Sequence, residues 1–210
     1  FIPISEGFNR GSEDLREIYK TGIQKKYIFP QLHGYSHYNL TKLNEYFYTD
    51  EGIEFYANGF LTGRSTIKGN MKFLQGELSH ENKDLKIEES CDEFLRMFGF
   101  KSDTVIPPTY ILDNEASERL KQCGITMLQS SNRLLKSDGS RYTVPYFRRK
   151  NGFVWSVRNA RLDPHEDYGF NSDQCIADIG KSFNNRLPAI IDFHRVNISG
   201  RYAPAYRDKT

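Results

Sequence analysis

Apolar residues recur along the chain in two alternating patterns. Helical spacing of apolar side chains predicts helices over residues 12–26, 39–47, 87–98, 114–124 and from about 172 onward. Short apolar runs predict strands over residues 27–32, 104–106, 125–128, 153–157 and 189–193. The segments 49–80 and 130–150 show neither period and are predicted to be irregular. Because strand and helix patterns alternate, the sequence predicts an α/β fold with a parallel sheet or barrel.

Local signals sharpen the helix ends. Asn114 and either Asn171 or Ser172 are typical N-cap residues, and Gly99 is typical of the position after a helix. No internal repeat and no linker interrupts the pattern. The sequence therefore predicts a single domain over residues 1–210.

Composition narrows the class of protein. The 210 residues are 38% hydrophobic and 14% aromatic, enough to build a packed core. A formal net charge of +2 gives no electrostatic reason to expect a nucleic-acid partner, and the basic run 148–150 is predicted to be a solvated loop. No apolar run is long enough to span a membrane.

The three cysteines, Cys91, Cys123 and Cys175, form no C-x-x-C pair. Their odd number and their places on or beside apolar helix faces predict free, buried or half-buried thiols. Free thiols slightly favour a cytoplasmic location.

Three histidines follow predicted strands, where the active sites of β/α barrels are built. His33 and His37 come after the strand at 27–32, and His194 comes after the strand at 189–193. A helical turn from His33 would place both imidazoles on one face, so they are candidate metal ligands, with a purely structural pair as the alternative. His194 is either a proton donor or acceptor or a rim residue. His80 and His165 are predicted to be surface residues.

Several of these segments resemble the motifs of the polysaccharide deacetylase (NodB-homology) family. His-Gly-Tyr-Ser-His at 33–37 is similar to its H-[S/T]-x-x-H motif, Ile-Pro-Pro-Thr-Tyr at 106–110 resembles its R-x-P-Y loop, and the strand before His194 resembles its L-x-H motif. Together with Val-Arg-Asn at 157–159 and His-Arg-Val-Asn at 194–197, they resemble the polysaccharide (de)acetylase-like proteins of bacterial surface-glycan gene clusters. The resemblance runs from about residue 12 to 208.

The resemblance implies a distorted (β/α) barrel of the glycoside hydrolase/deacetylase type, a divalent metal, and hydrolysis of an acetyl group on a polysaccharide or glycan precursor. His33 and His37 would hold the metal, with zinc as the default ion, and His194 would be the catalytic acid. The family's Asp-Asp motif is absent and would lie upstream. The barrel is therefore expected to lack its first strand here and to be incomplete at both ends.

The remaining site residues follow from their positions. Asp192 is a second catalytic candidate, either raising the pKa of His194 or pairing with Arg195. A backbone N–H near Tyr110 would hold an oxyanion. The Tyr110 ring would either pack on a sugar face or pack in the core or rim, and Arg158 and Asn159 would either bind substrate or make structural contacts.

The sequence does not identify the carboxylate ligand or the general base, so it is consistent with more than one function. Asp192, Asp163 and Asp113 are fallback candidates for them. The family's Arg would fall near Ile106, and its absence favours a catalytically silent carbohydrate-binding or scaffold relative. The three retained histidines favour an active deacetylase, while a metal hydrolase of another bond is a third hypothesis.

Overall fold

The computed structural model describes residues 9–10, 13–55, 57, 74–131, 133–162 and 171–193. Its helices are α1 Leu15–Gln24, α2 Leu40–Tyr46, α3 Asp50–Phe55, α4 Ile87–Phe98, α5 Asn114–Gln122 and α6 Ser172–Asn184. Its strands are β1 Asn9–Arg10, β2 Glu13–Asp14, β3 Thr104–Val105, β4 Met127–Ser130, β5 Arg133–Leu135, β6 Arg141–Thr143, β7 Arg149–Lys150, β8 Phe153–Val157, β9 Ala160–Arg161 and β10 Ile191–Asp192. The predicted α/β class is confirmed.

Of the predicted N-caps, Asn171 is confirmed, whereas Asn114 is the first residue of α5 and Asp113 is its N-cap. Asn39, which was not predicted as a cap, is the N-cap of α2. The side chain of Asn39 accepts from the backbone N–H of Lys42 at 3.1 Å, which starts α2. Asn171 does the same for α6. Gly99 ends α4 with φ of 78°, a conformation that glycine adopts without strain.

The chain divides into two compact units, residues 1–128 with 134–142 and residues 129–133 with 143–210. In the first unit, α4 packs on α1 and α5, and β3 pairs in parallel with β4. Leu32 adds a parallel bridge to Val105 on the other side of β3. Fully buried side chains of this unit include Leu43, Leu74, Leu78, Val105, Leu120 and Leu128.

In the second unit, β8 lies between the end of β4 and β7, with which it pairs antiparallel. β9 pairs in parallel with β10, and α6 packs on β9. Phe153, Trp155 and Val157 point inward from β8, and the Trp155 Nε1 donates to the Lys150 carbonyl at 3.0 Å. Burial with a satisfied indole makes Trp155 a core residue.

The described strands do not confirm the predicted barrel. The described strands form short sheets with both parallel and antiparallel neighbours, and within the described residues they do not close into a barrel. Of the predicted strand 27–32, only Leu32 pairs with a strand, through its bridge to Val105, since Pro30 lacks the N–H that a strand ladder requires.

Two predicted irregular segments contain regular structure. α3 lies in the segment 49–80, and β5, β6 and β7 lie in the segment 130–150. These strands have only two or three residues, too few to show an alternating pattern. Over the part of the chain that the structure describes, no helix has the length and apolar character needed to cross a membrane.

Candidate functional site

His33 sits beside β3 because the preceding residue is tied to that strand. The Ile106 N–H donates to the Leu32 carbonyl at 3.0 Å, and the His33 Nδ1 lies 2.9 Å from the Ile106 carbonyl. Since a carbonyl only accepts, Nδ1 carries the proton in the neutral ring. The lone pair of that ring is then on Nε2, the arrangement in which metal-binding histidines are commonly held.

A buried carboxylate shapes the loop that follows. Glu77 accepts from the backbone N–H groups of Tyr35 at 2.6 Å, Ser36 at 2.9 Å and His37 at 2.7 Å, and the residue is only 2% exposed. Burial raises the pKa of Glu77, and the three backbone hydrogen bonds oppose that rise without cancelling it. The loop is therefore fastened to Glu77 through its main chain, independently of its side chains.

The two candidate metal ligands are adjacent. The His33 and His37 ring centroids are 4.4 Å apart, with an angle of 85° between the ring planes. The expected helical turn is not formed: His37 has φ of 67°, and α2 begins only at Leu40. Burial, and then the charge of His33, lowers the pKa of His37. Both effects favour the neutral imidazole, which is the form that binds metals.

The loop resembling R-x-P-Y packs against the same segment. A Cβ added at Gly34 would lie 2.6 Å from the Pro108 Cγ, so the two loops are in close contact. Thr109 and Tyr110 both have positive φ, and the Tyr110 N–H donates to the Pro107 carbonyl at 3.0 Å. The Tyr110 N–H, one of the backbone donors in the region expected to hold an oxyanion, is thus engaged in a tight turn.

In the second unit, the structure brings together the predicted residues Asp192, Arg158 and Asn159. Arg158 forms an ion pair with Asp192, and the Arg161 Nε lies 4.0 Å from the Asp192 Oδ2. The Asn159 side chain donates to the Pro188 carbonyl at 2.9 Å and accepts from the Ile190 N–H at 2.8 Å. These contacts join β9 to the segment that contains β10.

Some residues of the sequence analysis lie outside the described residues: His194, the predicted catalytic acid, with Arg195 and the rest of the segment 194–197, Asp163 and His165. Their predicted roles rest on the sequence.

Sequence reasoning missed a second cluster, formed by His80, Asp113 and Ser137. The His80 Nδ1 lies 2.8 Å from the Asp113 Oδ2 and 2.6 Å from the Ser137 Oγ. The Ser137 hydroxyl donates to the same Asp113 oxygen at 2.7 Å. The His80 side chain is 62% exposed, as a surface histidine should be, yet its ring is held by a carboxylate. The His80 N–H also donates to Asp113, 33 positions away, and no sequence motif marks the cluster.

This cluster has the residue types of a catalytic triad but a different geometry. In a triad, serine and aspartate contact opposite nitrogens of the imidazole. Here Asp113 and Ser137 both contact Nδ1. Burial would raise the pKa of Asp113, but hydrogen bonds from Ser137 and His80 outweigh it and lower the pKa. The cluster therefore holds an ionised carboxylate and does not activate the serine.

Across the described ranges, no group of three or more His, Cys, Asp or Glu side chains is arranged to hold a metal ion. The His33 and His37 imidazoles supply two suitable donors. Comparison with known proteins gives no information about the family or function of the chain, because neither family models, nor curated proteins, nor solved structures gave a match.

Proposed function

We propose that this protein is a metal-dependent hydrolase that removes acetyl groups from a polysaccharide or glycan precursor. One observation carries the proposal: His33, oriented by the Ile106 carbonyl, lies beside His37 on a loop fastened by the buried Glu77. Such orientation of a ligand by its other ring nitrogen is typical of metal-binding histidines. The deacetylase-type barrel predicted from the motifs belongs to the same proposal.

His33 and His37 would hold the metal as two neutral nitrogen ligands. Zinc is the default ion for such donors, and when bound it would polarise an acetyl carbonyl and acidify a water molecule. The Glu77 carboxylate would act through the backbone, keeping the two rings at their present separation.

The third ligand and the general base would come from a carboxylate. Asp113 and Asp192 are poorly suited, because the first holds His80 and Ser137 and the second holds Arg158. Asp163 remains a candidate from the sequence. His194, at the position of the family's late histidine, would donate a proton to the departing sugar nitrogen or oxygen.

Metal content of the purified protein tests the proposal first. Elemental analysis after incubation with zinc and gel filtration should give near-stoichiometric zinc for the wild type and none for the double variant His33→Ala, His37→Ala. His80→Ala is the matched control, since His80 is an exposed histidine held by Asp113, and it should keep the ion. Acetate release from acetylated chitooligosaccharides and acetylated polysaccharides then tests the reaction.

A catalytically silent carbohydrate-binding relative is the second candidate. Ile106 stands where the family has an arginine, and its carbonyl is used to orient His33. Absence of zinc from the wild type, together with sugar binding that the double variant retains, would replace the hydrolase by this second function.

A further inference from the structure

Two of the three cysteines meet although they are 32 positions apart in the sequence. Cys91 lies within α4, and Cys123 is the C-cap residue of α5. An ion pair between Glu88 and Arg119 joins the same two helices, and the Arg119 guanidinium also donates to the Leu85 carbonyl at 2.9 Å. With the helices fixed in this way, the Cys91 and Cys123 side chains line the same cavity and are close enough to interact.

The thiol pair lines a cavity of about 250 Å³, which also contacts Asp92, Lys101 and Gln122. Both cysteines are half-buried, so a molecule as small as hydrogen peroxide can reach them. Burial, and then the hydrogen bond and charge of Cys123, raises the pKa of Cys91 to about 12. Cys91 therefore keeps its proton, so the first attack on peroxide is assigned to Cys123.

We propose that Cys91 and Cys123 form a modification site at which hydrogen peroxide closes an intramolecular disulfide between α4 and α5. The Cys123 thiolate attacks one peroxide oxygen, breaking the O–O bond and giving a sulfenic acid and hydroxide. The Cys91 sulfur then displaces the sulfenic oxygen and loses its proton, which leaves with that oxygen as water. In sum, two thiols and one peroxide give one disulfide and two waters, and two electrons pass from sulfur to oxygen.

This inference is independent of the proposed hydrolase, because it uses neither His33 nor His37. The disulfide would fasten α4 to α5, which the ion pair between Glu88 and Arg119 already joins. By restricting the unfolded chain, it should raise the thermal midpoint of unfolding.

Thiol titration of the oxidised protein tests the site. The full chain is treated with hydrogen peroxide at low protein concentration, quenched with catalase, denatured and titrated, and cross-linked peptides are identified by mass spectrometry. The wild type should fall from three thiols to one, with Cys91 joined to Cys123. Cys175→Ser, which removes the thiol on α6, should fall from two to none. Dithiothreitol should restore the thiols in both.

Two further measurements separate proximity from general thiol reactivity. Cys91→Ser and Cys123→Ser should each keep Cys175 unpaired and form no intramolecular disulfide, while peroxide in concentrated urea should give mixed pairings. A wild type that keeps three thiols would overturn the proposal. So would independent oxidation of each cysteine to the sulfinic acid, or a disulfide that involves Cys175.

Discussion

Glu77 and Asp113 are two buried carboxylates of the same unit that hold histidines in opposite ways. Glu77 bonds the backbone of the loop that carries His33 and His37, whereas Asp113 bonds the ring of His80 directly. Their exposures are 2% and 9%. Burial raises the pKa of Glu77, while hydrogen bonds from side chains and backbone overcome burial and lower the pKa of Asp113.

The difference shows that partner atoms, more than residue types, decide what a carboxylate–histidine cluster can do. Glu77 fixes the main-chain shape of the loop that carries the two imidazoles. The charged Asp113 carboxylate is hydrogen-bonded to one imidazole and one hydroxyl, so it holds the His80 and Ser137 side chains in place. Both clusters depend on one short segment, because Asp113 donates its N–H to the Leu78 carbonyl at 3.0 Å, next to Glu77.

The largest expected effect comes from removing Glu77. Glu77→Ala would remove a buried side chain and leave three partly buried backbone N–H groups without their acceptor, which should lower the free energy of unfolding by ~3–6 kcal/mol. The same variant should lose zinc uptake, since the loop no longer holds His37. Urea unfolding and elemental analysis measure the two effects.

Glu81→Ala is the matched control for Glu77. Glu81 is exposed and pairs with Lys42, so its loss should cost less than about 1 kcal/mol. Glu77→Gln keeps one oxygen and should fall between the two. Equal stability of Glu77→Ala and the control would mean that the carboxylate does not hold the loop.

A smaller effect is expected from crowding at Gly34. Gly34 has φ of 85°, and an added Cβ would lie 2.6 Å from Pro108 and 2.7 Å from the Glu77 carboxylate. Gly34→Ala should therefore cost about 3 kcal/mol, the sum of a left-handed backbone penalty and overpacking. Gly99→Ala has a similar φ of 78° with no atom nearby and should cost only ~1–2 kcal/mol. Thermal unfolding of both variants measures the difference, and equal costs would contradict the close packing of the two loops.

Acid should destabilise the folded protein at the Asp113 cluster, because the fold stabilises the charged form of Asp113. Because its folded pKa is lowered, Asp113 contributes stability that is present above the ordinary aspartate pKa of 3.8 and is lost as pH falls through the folded value. Asp113→Asn should cost ~1–2 kcal/mol at neutral pH, and the gap to the wild type should shrink in acid.

Unfolding free energies from pH 7 down to about 2 measure this gap, with Asp103→Asn at an exposed aspartate as control. A gap that stays constant from neutral to acid pH would show that Asp113 is not stabilised as an anion.

The sequence predicted those parts of the fold that local chemistry determines. Capping of α6 by Asn171 and the end of α4 at Gly99 each depend on residues close in sequence, and both predictions are confirmed. Strands of two or three residues, such as β5 and β7, carry too little pattern to be seen. Their pairing depends on distant partners that no local period reveals.

In the candidate site, too, the residues with local sequence signals were predicted and those that depend on distant partners were missed. His33 and His37 were predicted from spacing and motif, and the structure places their rings together. Glu77 was missed because its partners are backbone amides about 40 positions away, which leave no mark in the sequence. The meeting of Cys91 with Cys123 was missed for a similar reason, since it depends on how two helices pack.

The smallest expected effect on stability is that of a substitution at Ser137. The same residue shows whether the cluster is structural or contains a catalytic nucleophile. Ser137→Ala removes one hydrogen bond to Asp113 and should cost about 1 kcal/mol. The intact serine should form no adduct with a fluorophosphonate, as seen by intact mass. A triad serine reacts because the far nitrogen of its histidine takes the hydroxyl proton, whereas Ser137 and Asp113 share Nδ1 of His80. An adduct at Ser137 would require the His80 ring to turn over, and would then make this cluster, instead of the His33–His37 pair, the first place to look for catalysis.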